Sequence, residues 1–401
     1  MTPTNPYDCT RPGNLFVGYE SLRRTVVEGF LNGHSFAIIG GRRCGKTSFL
    51  LQMHKDLLGI RNTRSQFHTL YLDLQEFGDL SVASIFRRIF LGVNGSNPAA
   101  RWSPSTRGAE YEYFLQSLRE HSQTLSQTLG RDWVFVLLID EIDRAAGAST
   151  KDQFFHNLRN LLTVSDLAHR FRVVASGTAA LNALTSSGSP LNNLRYKFLG
   201  VLDRAAAHTL VQAGFSRTWS HRYESKVFSL TGRHPYMLQG ILEKFWPEDQ
   251  DEINQADFHR AASEFVSEHR DFESMVSSFH AAEHQVYRYL SARSNSTETV
   301  QGLCKAVDAD GVHDAITVLS YHGLVEIDGP DTVRLAGTMF RDWYETHIPK
   351  DVLRTTGGRE ETISSFTQVF GSMHVGDKYE SKGQAGEVGP NATVREIGRA
   401  H

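Results

Sequence analysis

The chain has 401 residues, enough for roughly two to four domains, and 40% of them are hydrophobic, enough for full-sized cores. Its formal net charge of −3 excludes a strong overall attraction to nucleic acid or to a membrane surface. The cysteines, Cys9, Cys44 and Cys304, lack the spacing of a metal site, and no apolar run could cross a bilayer or serve as a secretory leader. We therefore expect a cytoplasmic protein without membrane partners.

The first predicted elements surround a glycine-rich loop. Residues 1–13 predict an irregular arm, and an amphipathic helix follows from about Glu20 to Leu31. A short apolar run at Ser35–Ile39 predicts a buried strand, and Lys46–Leu58 carry the apolar stripe of a helix. Between them, the spacing Gly40-x4-Gly45-Lys46-Thr47 matches the P-loop pattern, whose expected context is a strand, a loop and a helix.

This loop is predicted to bind the phosphates of a nucleotide together with Mg²⁺. Glycines allow backbone N–H groups to approach phosphate oxygens closely, and a helix N-terminus adds a partial positive charge. We expect Lys46 to reach the β- and γ-phosphates and Thr47 to supply a hydroxyl to Mg²⁺. Cys44 is interpreted as a variable loop position, the alternative being a redox-sensitive thiol. The predicted nucleotide-binding residues of the loop are Gly40, Gly41, Arg42, Arg43, Cys44, Gly45, Lys46, Thr47 and Ser48.

A second motif, at residues 134–143, ends in carboxylates. Val134–Ile139 are continuously apolar, which favours a strand buried on both faces of a parallel sheet. Asp140 at the end of that strand is predicted to hold Mg²⁺ through water, and Glu141 to polarise the attacking water. Asp143 extends the pattern without an assigned role. Both motifs together predict an ATPase, and no guanine-reading N-K-x-D motif follows the core, which favours ATP over GTP.

Strands and helices alternate through the first 203 residues. This alternation predicts an α/β P-loop NTPase core with a parallel sheet covered by helices on both faces. The strand at 171–178 ends in small polar residues, so Ser176 or Thr178 could sense the γ-phosphate at the carboxyl edge of the sheet. The remaining elements of this core are predicted as strands at 67–74 and 195–202 and helices at 82–93, 110–129 and 153–162.

From residue 204 the hydrophobic period is helical. Residues 204–271 predict a helical lid, in which Pro235 begins a helix just after the end of another at Gly232. Residues 272–348 predict a winged-helix domain of three helices, a hairpin and a last helix. The glycine-rich tail at 349–401 predicts either a flexible linker or a partner-docking segment.

The sequence resembles the STAND group of signal-transducing P-loop ATPases within the wider AAA-like class. The resemblance covers about residues 14–348 and rests on the motifs GGRRCGKTSFL, VLLIDEID, TGRHPYMLQ and FRDWYETH. It implies that Val17 and Gly18 lie on the adenine side of the nucleotide and that Pro235 packs near the adenine. It also implies an arginine acting on a neighbouring subunit, with Arg195 as first candidate and Arg144 as second, and Arg233 as a candidate for contacting phosphate within its own chain.

The resemblance further implies a slow ATPase that acts as a switch. ATP binding would change its conformation and drive self-association, and a separate effector or sensor protein would relay the signal in bacterial antiphage defence. The alternative is a DNA-associated ATPase of AAA type, either initiator-like or a transposition helper. Residues 272–348 contain eleven acidic and five basic residues, with no Lys or Arg at 308–323. DNA binding relies on neutralising phosphates, so this composition disfavours nucleic acid and favours a regulatory or protein-binding module.

Overall fold

A computed structural model of the chain describes residues 4–12, 15–60, 65–94, 101–106, 108–129, 132–149, 151–247, 252–268, 270–293, 297–307, 310–329 and 331–349. The predicted tail, apart from Pro349, lies outside the described residues. None of the described helices has the length and apolarity that crossing a bilayer requires.

A five-stranded parallel sheet forms the centre of the first 200 residues. Its spatial order is β2-β3-β4-β1-β5, so the strand before the glycine-rich loop lies between β4 and β5. Every residue of β1 and of β4 is buried, which accounts for their continuous apolar sequences. The predicted α/β fold with a parallel sheet is confirmed. The strands are β1 (Phe36–Gly40), β2 (Ser65–Asp73), β3 (Asp132–Asp140), β4 (Phe171–Gly177) and β5 (Arg195–Leu199).

Helices cover both faces of this sheet. On one face α1 and α2 pack through Phe30, Phe49 and Met53, and on the other α3, α4 and α6 pack through Phe86, Phe114 and Phe154. The helices are α1 (Glu20–Leu31), α2 (Lys46–Gly59), α3 (Val82–Asn94), α4 (Glu110–Leu129), α5 (Asp143–Ala146), α6 (Lys151–Thr163) and α7 (Ala179–Thr185).

Two details of the core differ from the sequence-based predictions. Strand β5 ends at Leu199 rather than at residue 202, because the Asp203 side chain accepts a hydrogen bond from the Ala206 amide and begins the next helix. Helix α7 was not predicted, since seven residues are too few for a clear helical period.

Four helices follow the core and form what we call the helical segment, residues 204–268. The N-terminal arm packs against this segment: Tyr7 is buried, stacks on Phe215 and donates its hydroxyl to the Val211 carbonyl at 2.8 Å. The helices are α8 (Arg204–Gln212), α9 (Arg217–Thr231), α10 (Pro235–Lys244) and α11 (Gln255–Glu268).

Residues 270–349 form a second group, which we call the C-terminal module. Its described part has four helices before the hairpin where three were predicted, and a short strand, β6, that was not predicted; its strands form an antiparallel sheet of order β6-β8-β7. The elements are α12 (Asp271–Val276), α13 (Ala281–Ser291), β6 (Glu298–Thr299), α14 (Val300–Ala306), α15 (Val312–Tyr321), β7 (Val325–Ile327), β8 (Thr332–Leu335) and α16 (Met339–His347).

The helical segment and the C-terminal module meet backbone to backbone. Gly232 ends α9 with a φ of 62°, and the Thr338 amide lies 3.1 Å from the carbonyls of Ser229 and Leu230. A Cβ atom on Gly232 would lie 2.4 Å from the carbonyl carbon of Ala336. Glycine is therefore required here both by the left-handed conformation and by the close approach of the second chain segment.

We expect Gly232→Ala to lower the free energy of unfolding far more than the same substitution at a turn with no neighbouring atoms. Gly188 has a φ of 82° and open space around its Cα, so Gly188→Ala tests the backbone strain alone, about 1 kcal/mol. Gly232→Ala adds the clash with the module and should cost roughly 1–3 kcal/mol more. Calorimetric unfolding of both variants measures the difference, and equal losses would contradict the close approach.

Candidate functional site

The glycine-rich loop connects β1 to α2 with two residues in the left-handed region. Arg43 has a φ of 61° and Gly45, which precedes the first residue of α2, a φ of 88°. Turns of this kind direct successive N–H groups toward one anion, and the start of α2 adds its positive end. Lys46 is 6% exposed and donates from Nζ to the Gly41 carbonyl at 3.0 Å. The loop therefore has the geometry of a phosphate-binding site.

A cavity of about 550 Å³ opens over this loop. Arg42, Arg43 and Gly45–Ser48 line one side, and Glu141 lines another. Of the residues predicted from the later part of the chain, Pro235 also reaches it. Its volume is in the range of sites for ligands of nucleotide size.

Asp140 is held behind the cavity by three donors. Its Oδ1 accepts hydrogen bonds from the Ser176 hydroxyl and from the Glu141 amide, and its Oδ2 accepts one from the Tyr71 hydroxyl at 2.9 Å. Ser176 is completely buried and does not line the cavity, so the structure gives it Asp140 as a partner instead of the predicted nucleotide. Burial and the neighbouring Asp140 raise the pKa of Tyr71, which keeps this hydroxyl protonated as a donor.

Thr47 and Asp140 have the chemistry of a Mg²⁺ site. Both offer oxygen ligands, which Mg²⁺ prefers, and one lies in the first turn of α2 and the other at the carboxyl end of β3. When bound, Mg²⁺ would neutralise charge that develops on the phosphate oxygens. The three hydrogen bonds fix the orientation of the Asp140 carboxylate, and its role in holding Mg²⁺ through water stays a prediction.

Of the paired carboxylates Asp140 and Glu141, Glu141 is the one that lines the cavity. It adopts a φ of 53°, which turns it away from the strand direction and toward the phosphate loop. Burial raises the pKa of Glu141, with Lys46 acting in the opposite direction and Asp140 adding to the rise. A raised pKa suits a general base, because it brings the proton affinity of the carboxylate closer to neutral pH.

Asp143, which had no predicted role, holds Thr178 at the cavity. Its Oδ2 accepts hydrogen bonds from both the amide and the hydroxyl of Thr178, the latter at 2.6 Å, and its Oδ1 accepts one from the Leu181 amide. Backbone amides at the N-terminus of α7 thus find their hydrogen-bond acceptor in a carboxylate of α5. Thr178, and not Ser176, therefore lines the cavity after β4.

Four other parts of the described chain line the cavity and were missed in the sequence. Residues 8–12 of the arm form one wall, Gln75 follows β2, Tyr236 and Gln239 extend from α10, and Asp271 begins α12. The Tyr236 hydroxyl donates to Asp271 at 2.7 Å, and Arg43 pairs with the same carboxylate at 3.1 Å. The sequence carries no local signal for these contacts, since each joins segments more than thirty residues apart.

Several predicted residues lie elsewhere. Gly18 packs against Leu202 and Ala206 at the start of the helical segment, and neither it nor Val17 lines the cavity. Arg195 begins β5 beside Phe36, at the opposite end of β1 from the phosphate loop, so it does not act on the phosphates of its own chain. Its role on a neighbouring subunit stays a prediction.

The other two candidate arginines do not line the cavity, and both are bonded to protein groups. Arg144 donates to the backbone carbonyls of Leu74 and Gln75, at 3.1 and 2.9 Å. Arg233 pairs with Glu326 in the C-terminal module instead of facing phosphate. Cys44 points away from the cavity and is fully buried, and burial raises the pKa of its thiol to about 12, which argues against a reactive thiolate.

Comparisons with known proteins agree with this geometry. A family model described as an AAA domain matches residues 32–184, and no curated protein matches the chain. A Walker-type ATPase of Pyrococcus abyssi shares 14% identity with the chain, over 83% of this chain and 98% of that one, with a TM-score of 0.51. This likeness shows a shared fold.

Two further solved structures are similar at lower TM-scores. The ORC1 protein of Aeropyrum pernix, solved in complex with DNA, has 10% identity, coverage of 83% of this chain and 93% of that chain, and a TM-score of 0.41. The ORC2 protein of the same organism has 15% identity, coverage of 87% and 93%, and a TM-score of 0.43. The match of the AAA-domain family model identifies residues 32–184 as an AAA-type P-loop ATPase domain, and the chain is an ATPase.

We expect Glu141→Gln to retain ATP binding and to lose hydrolysis by at least about a hundredfold, because the base is removed while the phosphate loop is unchanged. In the wild type, the rate should fall with decreasing pH through the raised pKa of Glu141, which is above the ordinary value of 4.5. Phosphate release against pH measures both effects. Glu76→Gln, close to β2 but outside the cavity, is the control, and an unchanged rate in Glu141→Gln would contradict the assignment.

Proposed function

We propose that the chain is a nucleotide-dependent switch of the STAND type. In this proposal the nucleotide bound at the phosphate loop controls whether the C-terminal module, interpreted as a winged helix, stays docked on the ATPase core. The helical segment serves as the lid over the nucleotide, and the module serves as an intramolecular regulator.

The observation that carries this proposal is a direct contact between the phosphate loop and the end of α15. The Gly41 amide donates to the Tyr321 carbonyl at 2.8 Å, and the Cys44 thiol donates to the same carbonyl at 3.3 Å. Tyr321 is 1% exposed and stacks on Phe198 of β5 with ring centroids 5.7 Å apart. One carbonyl of the module therefore satisfies two donors of the loop that binds phosphate.

His322, the next residue after Tyr321, also contacts the phosphate loop at Gly41. A Cβ atom on Gly41 would lie 2.6 Å from His322 Nδ1 and 2.8 Å from its Cα, so the two backbones touch. The helical segment joins the contact through His234, whose Nε2 lies 3.5 Å from the Cys44 sulfur. Burial lowers the pKa of His322 to about 3 and that of His234 to about 4, so both rings are neutral in the docked arrangement.

Gly41 links the nucleotide-binding residue Lys46 to the C-terminal module through its two backbone groups. Its carbonyl accepts from Lys46 while its amide donates to Tyr321. A γ-phosphate that draws Lys46 away would leave that carbonyl with the Cys44 amide, at 3.4 Å, as its remaining donor and change the orientation of the peptide units around Gly41. The docking of the module then depends on the state of the nucleotide, which is the coupling that a switch requires.

The charges of the module favour this role over DNA binding. The exposed residues of α15 and the turn before it include Asp310, His313 and Asp314 and no basic residue, and the other end of this helix is buried against the phosphate loop. A reading helix of this kind would repel the phosphate backbone. Four features stay predictions from the resemblance: self-association on ATP binding, the action of Arg195 on a neighbouring subunit, a separate effector, and a role in defence.

The mass of the protein in solution tests the proposal directly. We expect the wild type and Glu141→Gln to assemble when ATP and Mg²⁺ are added, and Lys46→Ala, which loses a phosphate ligand, to stay at its starting mass. If the mass never changes while the protein binds duplex DNA with a steep dependence on salt, the DNA-associated alternative is supported and the switch is rejected.

The contact at His322 gives a second test. His322→Ala removes the ring packed on Gly41 and should accelerate release of a fluorescent ADP analogue by about tenfold, the size of a typical coupling between sites. His313→Ala, on the exposed face of the same helix, is the matched control and should release ADP at the wild-type rate. Equal release rates in the two variants would show that docking does not govern the nucleotide.

A further inference from the structure

We propose that a second cavity, between the helical segment and the C-terminal module, is a binding site for a small ligand carrying several phosphate charges. This cavity has a volume of about 390 Å³ and shares no lining residue with the cavity over the phosphate loop. The residues that carry the argument are Arg204, Arg233, Arg334, Arg341, Glu326 and Thr338. The proposal does not depend on the switch mechanism.

The charge of the lining is strongly unbalanced. Four arginines line the cavity, and Glu326 is the one acidic residue among its described lining residues. Arg233 and Arg334 share that carboxylate, at 2.5 and 2.8 Å from the same oxygen. Arg341 pairs with Asp342, which is half exposed and faces a different cleft. The cavity therefore keeps an excess of positive charge that a multiply charged anion would neutralise.

The arginines are placed so that one ligand could contact both parts of the chain. Arg204 and Arg233 come from the helical segment, and Arg334 and Arg341 come from the C-terminal module. The side chains of Arg233 and Arg341 are each only 17% exposed, which strengthens their charge interactions relative to a free surface. Guanidinium groups bind phosphate oxygens through two parallel hydrogen bonds, so this set favours phosphate over a singly charged anion.

The remaining donors of the cavity suit the same ligand. Ser225, Ser229 and Thr338 add hydroxyl groups to the lining. Thr338 precedes α16, and its side chain does not cap that helix, so its hydroxyl is not used in capping. Charged and neutral donors thus converge from both walls on one concave space.

The surroundings favour a small ligand over nucleic acid. A duplex needs an extended basic surface, whereas the rest of the C-terminal module is acidic and its α15 exposes carboxylates. A ligand bound here would add attraction between the two segments and compete with Glu326 for Arg233 and Arg334. We therefore expect binding to strengthen the contact between the helical segment and the module.

Calorimetric titration of the full-length Lys46→Ala variant with inorganic pyrophosphate tests the site without competition from the phosphate loop. We expect one binding site. Arg204→Ala and Arg334→Ala should each weaken binding by about tenfold, because each removes a charged donor. Arg217→Ala, an exposed arginine on α9 outside the cavity, should leave the affinity unchanged. Glu326→Gln removes the competing carboxylate and should tighten binding by about threefold to tenfold.

Glu326→Gln separates a charge effect from damage to the fold. If Glu326 only held the helical segment and the C-terminal module together, losing its carboxylate would loosen that contact and weaken any binding of pyrophosphate. Absence of pyrophosphate binding, or equal affinities in the arginine variants and in Arg217→Ala, would overturn the proposal. The proposal would also be overturned if the protein bound duplex DNA but not pyrophosphate, and the same substitutions weakened the binding of DNA. The cavity would then be part of a nucleic-acid surface.

Discussion

The hydrogen bond from the Gly41 amide to the Tyr321 carbonyl is the contact on which the arrangement of the chain depends. A phosphate loop has few backbone groups to spare, because most of its N–H groups must face the nucleotide. Here one of them is satisfied by a residue 280 positions later in the chain. The residue that the C-terminal module contacts, Gly41, also carries the carbonyl that accepts from Lys46, so the two hydrogen bonds lie on adjacent peptide units.

The parallel sheet explains why the catalytic groups meet at one edge. All five strands end on the same side, so Gly40, Asp140 and Gly177 bring the phosphate loop, the paired carboxylates and Thr178 together. Between them, Ser176, Tyr71 and Asp143 act on other side chains and not on the ligand. Such positioning hydrogen bonds fix a carboxylate in the one orientation in which it can serve a metal ion or a hydroxyl group.

The parts of the site that the sequence could predict are those formed by consecutive residues. The phosphate loop and the Asp140–Glu141 pair are short motifs with a fixed context, and the apolar runs before them identify the strands. The sequence left open whether Ser176 or Thr178 lines the cavity, because this depends on which hydroxyl lies above the sheet edge. Arg233 was expected near phosphate from its neighbours in sequence, but its partner, Glu326, lies in a different segment. The docking of Tyr321 involves a backbone carbonyl, which has no signature in sequence.

The cavity over the phosphate loop is lined by residues on both sides of the matched AAA domain. The family model matches residues 32–184, yet arm residues 8–12 form one wall of the cavity, and residues of α10 and α12 form another. The arm is attached to the helical segment through Tyr7 rather than to the sheet. A fragment cut at the limits of the matched domain would keep the phosphate loop and both carboxylates but would bind its nucleotide in an open groove. The smallest piece of this chain with a complete nucleotide pocket therefore extends from the arm to Asp271, well beyond the homologous domain on both sides.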